Sequence, residues 1–228
     1  VRIMSRNIGL GKYEPYLAWG GKIKPSEIEE TKQYVYMKPS VSDSAILNAC
    51  ACGSVTSANG TVTLEYPDYP RNLLVSFVET GGTVWKGTAT VTGKDQFGLT
   101  ISEEFACLSL GTTSVNGSKV FDQITAVSIA VGSYGTGACD VRVGYSIGAG
   151  TAKLGLFDKV GAATDVKRVT WVDNGVVTPG TVTVDTTYHA ITPAAALAAA
   201  DDYVVWVRPD YRDDDEVATY AGTSALVS

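Results

Sequence analysis

One histidine, His189, is all that 228 residues contain, which excludes every site built on two imidazoles. Charge is thin too. Only 18% of the chain is Asp, Glu, Lys or Arg, against a usual share of about 25%. No stretch approaches the ~18 consecutive apolar residues of a membrane-spanning helix, so no membrane partner is expected. With a net charge of −6 and a pI near 4.8, the chain repels a phosphate backbone on average, and direct nucleic-acid binding is not expected. The four cysteines, Cys50, Cys52, Cys107 and Cys139, include no Cys-x-x-Cys pair and have no histidine pair to join, so neither zinc nor any other metal is expected. Gly-x-Ser-x-Gly, His-Glu-x-x-His and the phosphate-binding Gly-x-x-x-x-Gly-Lys are all missing. The first ten residues carry no apolar core of a signal peptide, so export by the general secretory route is not expected. Disorder is excluded by the opposite argument: 45% hydrophobic residues with modest net charge is a folding composition.

What the chain does have is Thr, Val and 24 Gly, arranged as short runs between turn residues. Strands are expected over Thr61–Tyr66, Leu73–Val78, Gly87–Thr92, Thr100–Leu110, Ser118–Val131, Cys139–Tyr145, Val166–Val172, Thr181–Asp185 and Tyr203–Arg208. The period-two pattern in Val127, Ile129 and Val131, and in Val182 and Val184, is that of a strand with one buried face. Asn-Gly at 59–60, 116–117 and 174–175 suits the positive φ angles of type I′ hairpins, and Gly81-Gly82 and Pro179-Gly180 add turns. Two of these, Asn59-Gly60-Thr61 and Asn116-Gly117-Ser118, also spell a glycosylation acceptor, but turn chemistry already accounts for them. Thr192-Pro193 followed by the alanines of 194–200 predicts a two-turn helix, and Ser26-Glu27-Ile28-Glu29 has the spacing that caps a short helix over 27–33.

The expected fold is therefore all-β, a β-sandwich or barrel-like domain or domains, with an extended N-terminal arm and one short Ala-rich helix. The organisation reads as an arm over 1–53, a β domain over 54–150, a second β lobe or a continuation of the same sandwich over 151–208, and a C-terminal tail over 209–228. Tyr13, Tyr16, Trp19, Tyr34 and Tyr36 make the arm rich in aromatics. It packs either on its own domain or on a neighbouring chain, and these five are the candidate contacts.

Chemistry is harder to find. His189 lies in Thr-Tyr-His-Ala-Ile, at an apparent strand or its end, and reads as a packed or surface residue. Glu103 and Glu104 point to opposite faces of a strand and form no carboxylate pair. The acidic run at Asp210 and Asp213–Glu216 lacks the spacing and glycine of a calcium loop and reads as solvated linker. Cys139 alternates with Val141 and Val143 and reads as a small core residue. In an extended segment the sulfurs of Cys50 and Cys52 share a face. No catalytic residue and no cofactor is expected, and the chain is not read as an enzyme.

An ordered set of short pieces points further. Pro70-Arg71-Asn72-Leu73 opens a strand; Thr90-Val91-Thr92-Gly93-Lys94-Asp95-Gln96-Phe97-Gly98 forms a hairpin, followed by Ile101-Ser102-Glu103. Val120-Phe121-Asp122-Gln123-Ile124-Thr125-Ala126-Val127 comes next, then Val143-Gly144, Lys153-Leu154-Gly155-Leu156 and Tyr203-Val204-Val205-Trp206. In this order, over about residues 66–208, the chain resembles a family of tailed-bacteriophage virion proteins of the head-decoration or cement type. Cys107 and the Ala-rich insertion before Tyr203 depart from that pattern. The resemblance implies a capsid decoration protein made in the host cytoplasm and placed on the outer surface of the virion head. Its partner would be the major capsid protein, and it would self-associate as a homotrimer. It implies roles for residues 1–50 and 209–228 against capsid or sister subunits, and makes Cys50 and Cys52 candidates for inter-chain disulfides. The −6 charge fits the outside of a DNA-filled shell. A tail, neck or baseplate component, or a carbohydrate-binding or adhesin module, is the alternative.

Overall fold

The structure is a computed structural model that describes residues 32–52, 66–80, 85–108, 112–134, 138–173, 176–198 and 201–208. Among these the chain is all-β, in four small antiparallel sheets with no α-helix. The strands in chain order are β1 (Lys32–Met37), β2 (Leu47–Cys52), β3 (Leu73–Thr80), β4 (Trp85–Lys94), β5 (Thr100–Cys107), β6 (Thr113–Asn116) and β7 (Gln123–Tyr134). They continue as β8 (Ala138–Tyr145), β9 (Leu154–Gly155), β10 (Val166–Asp173), β11 (Val176–Pro179), β12 (Val182–Asp185), β13 (Ala190–Pro193) and β14 (Asp202–Val207). A 3-10 turn, Ala163–Asp165, precedes β10.

Two cores organise these strands. The sheets β2-β8-β3-β6 and β5-β4-β7 share the first, to which alternate residues contribute: Leu73, Val75 and Phe77 from β3, Cys139, Val141 and Val143 from β8, Ala89 and Val91 from β4, Phe105 and Cys107 from β5. The sheets β1-β14-β10-β11 and β12-β13-β9 share the second, with Tyr34, Tyr36, Leu154, Ile191, Tyr203, Val205 and Val207. Period-two burial is the direct consequence of side chains alternating across a pleated strand. In β7 the parity breaks between Ile124 and Val127, both packed in the first core. A register shift against Thr92 and Gly93 of β4 absorbs the extra residue as a bulge and returns both side chains to the interior.

Several expectations change here. Within the segment read as an arm, β1 and β2 belong to two different sheets, and β1 pairs with β14 from Lys32 opposite Val207 to Met37 opposite Asp202. The helix expected over 27–33 falls mostly outside the described residues, and its last two, Lys32 and Gln33, begin β1. The Ala-rich helix is not formed over 194–198. Pro193 ends β13 opposite Val182, and the following amides find distant acceptors: Ala194 N–H donates to Thr181 O at 2.9 Å and Leu197 N–H to Ile147 O at 2.9 Å. Two turns of helix are too short to hold by alanine propensity alone against such contacts. Asn116-Gly117 does not make a hairpin either, because β6 pairs with β3 and β7 with β4. Gly117 N–H donates to Leu73 O instead, and the chain crosses between sheets there. The hairpin expected around 174–175 is present, with Asp173 opposite Val176. Asn59-Gly60, Gly81-Gly82 and nearly all of Thr61–Tyr66 lie outside the described residues.

The cores meet at Pro70-Arg71-Asn72. Arg71 is fully buried. Its Nη1 donates to Ser40 O at 2.9 Å and to Asp68 Oδ1 at 3.0 Å, its Nη2 to Ser146 O at 3.4 Å, and the guanidinium lies 4.2 Å from the centre of the Tyr145 ring. Its backbone bridges Phe121 on one side and Leu154 on the other. Asn72, also fully buried, donates through Nδ2 to Gly117 O and Thr151 O and accepts at Oδ1 from Lys153 N–H. Gly155 N–H donates to Pro70 O at 2.7 Å, and a Cβ at Gly155 would sit 2.8 Å from the Pro70 side chain and 2.6 Å from Val120, so only glycine fits. A buried cation is tolerated only when such acceptors surround it. Replacing Arg71 by Met should therefore lower stability by about 3 kcal/mol, seen as an earlier urea midpoint. An unchanged midpoint would mean that the junction does not hold the cores.

Candidate functional site

Tyr34 and Tyr36, expected as contacts to another subunit, are interior residues of this chain at 3% and 1% exposure. Their positions in β1 alternate toward the second core, opposite Val205 and Tyr203 of β14. Tyr36 Oη donates to Gly155 O at 2.7 Å, and its ring meets Tyr69 edge-on at 5.4 Å. Tyr69 Oη in turn donates to Met37 O and accepts from Met37 N–H, both at 2.7 Å. Tyr34 Oη donates to the Asp158 carboxylate, which also takes Lys32 Nζ at 2.7 Å. Burial first, then the Asp158 carboxylate, push the Tyr34 phenol far above its usual value, and burial does the same for Tyr36 with Tyr69 adding to it. Both stay protonated donors. The local sequence carries no signal for this, since Tyr34-Val35-Tyr36 is apolar on both parities and pairing with β14 decides which face turns inward. Tyr13, Tyr16 and Trp19 lie outside the described residues.

The two chain ends that carry the remaining candidates leave from one place. Lys32 of β1 sits opposite Val207 of β14, so residues 1–31 and 209–228 join the sheet at neighbouring points. Arg208 is anchored there: its N–H donates to Asp165 O at 2.8 Å, and its Nη2 pairs with Asp165 Oδ1 at 3.0 Å. Asp165 Oδ2 also accepts the N–H groups of Gly161 and Ala162. Burial alone would raise the Asp165 carboxyl; the hydrogen bonds from Ala162, Arg208 and Gly161 outweigh it and hold it below the usual aspartate range.

Of the cysteines, Cys107 and Cys139 are fully buried in the first core. Cys50 and Cys52 lie on β2, the outer strand of its sheet among the described residues, at positions opposite Val141 and Cys139 of β8.

A cleft of about 380 Å³ opens between the β4–β5 turn and the β12–β13 turn, lined among others by Asp95, Gln96, Phe97, Leu99, Tyr188 and His189. Its polar groups hold the two turns together. Asp95 Oδ1 accepts from Phe97 N–H at 2.9 Å and Leu99 N–H at 2.8 Å, shaping a turn in which Gly98 takes φ +82°. Gln96 Nε2 donates to Tyr188 O at 2.7 Å. Asp185 Oδ1 accepts from Thr187 and Tyr188 N–H while Oδ2 takes Lys153 Nζ at 2.7 Å. His189 Nδ1 accepts from Val160 N–H at 3.1 Å, and its ring meets Phe97 edge-on at 5.3 Å. His189 is thus a packed residue. Glu103 accepts from Ser118 N–H and Oγ, so it fastens β5 to the crossing after β6.

Two outcomes follow. Tyr36→Phe should cost about 1–2 kcal/mol and Tyr36→Ala about 3–5 kcal/mol in urea unfolding of the dilute protein, whereas a subunit contact would leave dilute stability unchanged. For Asp165, a carboxyl lowered on folding stabilises above the ordinary aspartate value of 3.8, and that contribution is lost as pH falls from there through the folded-state value. Asp165→Asn should therefore destabilise the protein at neutral pH and flatten the acid limb of its stability profile, measured by thermal melts across pH.

No family model, no curated protein and no solved structure matches the chain.

Proposed function

We propose that the chain is a bacteriophage virion structural protein, a capsid decoration or cement protein on the outer surface of the head. In this reading it stabilises the shell by bridging copies of the major capsid protein, and it assembles as a homotrimer. The observation that carries the proposal is the ordered resemblance itself. Pro70-Arg71-Asn72, Phe121 and Lys153-Leu154-Gly155 meet at the junction of the cores. Thr90–Gly98 makes the β4–β5 hairpin, where a Cβ at Gly93 would overlap the Gln123 carbonyl. Tyr203–Trp206 is the strand β14 that receives β1. The pattern thus falls on framework residues, which bear on the fold; the building role is carried by the resemblance itself and by the aromatic N-terminal segment, not by the framework.

A cement protein needs a stiff body and projecting segments with a large contact area. Residues 1–31, with Tyr13, Tyr16 and Trp19, attach to the body beside residues 209–228. Tyr and Trp give much contact area for little lost rotamer freedom, which is why they dominate interface energetics. Cys50 and Cys52, on an outer strand, remain candidates for bridges between copies.

The test is a truncation that spares β1. A chain lacking residues 1–31 should fold with an unchanged melting temperature yet bind purified capsids roughly a hundredfold more weakly, the loss of one or two aromatic anchors. Undiminished occupancy of the capsid would refute the proposal. Copy number in virions separates locations: hundreds for the head, a handful for neck or tail.

A further inference from the structure

The hydrogen bonds around the cleft between the β4–β5 and β12–β13 turns serve the fold, yet they leave polar atoms unspent. Gln96, which lines the cleft, is only 9% exposed. Its Nε2 donates to Tyr188 O at 2.7 Å and to His189 O at 3.4 Å. Those two carbonyls fix the orientation of the amide, so the atom left over is an acceptor. That atom, Oε1, is buried and has no hydrogen-bond partner among the described residues, a costly state for an amide oxygen. His189 accepts Val160 N–H at Nδ1, and a ring that accepts there carries its proton at Nε2. Nε2–H meets no acceptor among the described residues. Asp95 takes the Phe97 and Leu99 N–H groups on Oδ1 alone, which leaves Oδ2 open. Beside these atoms the wall is apolar, with Phe97, Ile101, Val120 and Leu99, the last 65% exposed. An apolar hollow with a few convergent polar atoms is the usual build of a small-molecule site, and 380 Å³ falls within the range of about 300–1,000 Å³.

The unspent atoms narrow the ligand. Two acceptors call for donors and one N–H calls for an acceptor, so the ligand must both give and take hydrogen bonds. An anion offers Gln96 Oε1 nothing and meets the Asp95 carboxylate, whose charge adds to burial in raising the carboxyl of Asp122. A cation leaves His189 Nε2–H unmatched and meets Lys159 on the same lining. A wholly apolar ligand leaves all three atoms unpaired. A hydroxyl does both tasks, and a pyranose ring carries several hydroxyls around an apolar C–H face. We propose that this cleft binds a neutral saccharide, with hydroxyls on Gln96 Oε1, Asp95 and His189 Nε2–H and the C–H face against Phe97 and Leu99. The site goes beyond the virion reading and does not rest on it.

The chain supplies its own reporter, because its one histidine gives one set of imidazole C–H signals in a proton–carbon NMR spectrum. The dilute full-length protein is titrated at fixed pH with the methyl glycosides of glucose, galactose, mannose and N-acetylglucosamine. At least one should move the His189 signal saturably, with a millimolar Kd. Sodium phosphate and methylammonium chloride, the charged probes, should leave it in place. Gln96→Leu should abolish the movement, but it also cuts the tie to Tyr188. Leu99→Ala spares the fold, since that side chain is exposed; it should raise the Kd roughly fivefold with an unchanged melting temperature. No saturable movement with any glycoside would overturn the proposal, as would an equal response to either charged probe. Equal Kd values for Leu99→Ala and the parent would overturn it too, because the sugar would then lie elsewhere. No capsid takes part, so failure here leaves the virion reading where it stands.

Discussion

The burial of one cation organises this protein. A guanidinium with no exposed surface is tolerable only if oxygen acceptors and an aromatic face surround it. For Arg71 those partners come from Ser40, Asp68, Tyr145 and Ser146, while its backbone is held by Phe121 and Leu154. Segments that belong to both cores must therefore converge before its two Nη groups find acceptors, while the buried Nε has none among the described residues. Asn72 repeats the logic with neutral groups, linking Gly117 to Thr151 and Lys153. The cores are apolar and non-directional; the junction between them is polar and directional, and it fixes how the sheets meet.

Much of the fold was legible because strands with one buried face announce themselves by period two. Cys139, Val141 and Val143 alternate in sequence and are buried together, and the sharp turn at Asp95–Gly98 needs its aspartate and glycine for stated reasons. What was hidden depended on partners far along the chain. The alanines of 194–198 look helical until Thr181 and Ile147 claim their amides, and Asn116-Gly117 looks like a hairpin until Leu73 claims Gly117. The candidate contacts split in the same way. Tyr34 and Tyr36 share a segment punctuated by Lys and Pro with apolar residues on both parities, so the face that turns inward is set by β14. Of the partners of Arg71 only Asp68 is near in sequence; Ser40, Phe121, Tyr145–Ser146 and Leu154 lie far along the chain.

The polar groups around His189 and Glu103 serve the fold. The cleft at His189 is lined by groups whose hydrogen bonds close two turns, and Glu103 is spent on Ser118. These contacts stiffen the body. Stiffness matters to a protein whose proposed task is to hold other chains in place, because a compliant scaffold would lose binding energy to its own ordering.

The position of β1 has a consequence for how the molecule comes to exist. β1 belongs to the second core, yet its partner β14 lies near the opposite end of the described chain, and every strand of the first core comes between them. During synthesis the first core has all its strands once β8 has emerged, whereas β1 must wait for β14 with Tyr34 and Tyr36 unburied. Pairings of such long sequence separation form slowly, after the entropy of closing the intervening loop has been met. The first core shortens that loop by folding within it, so the inner core acts as the chaperone of the outer one.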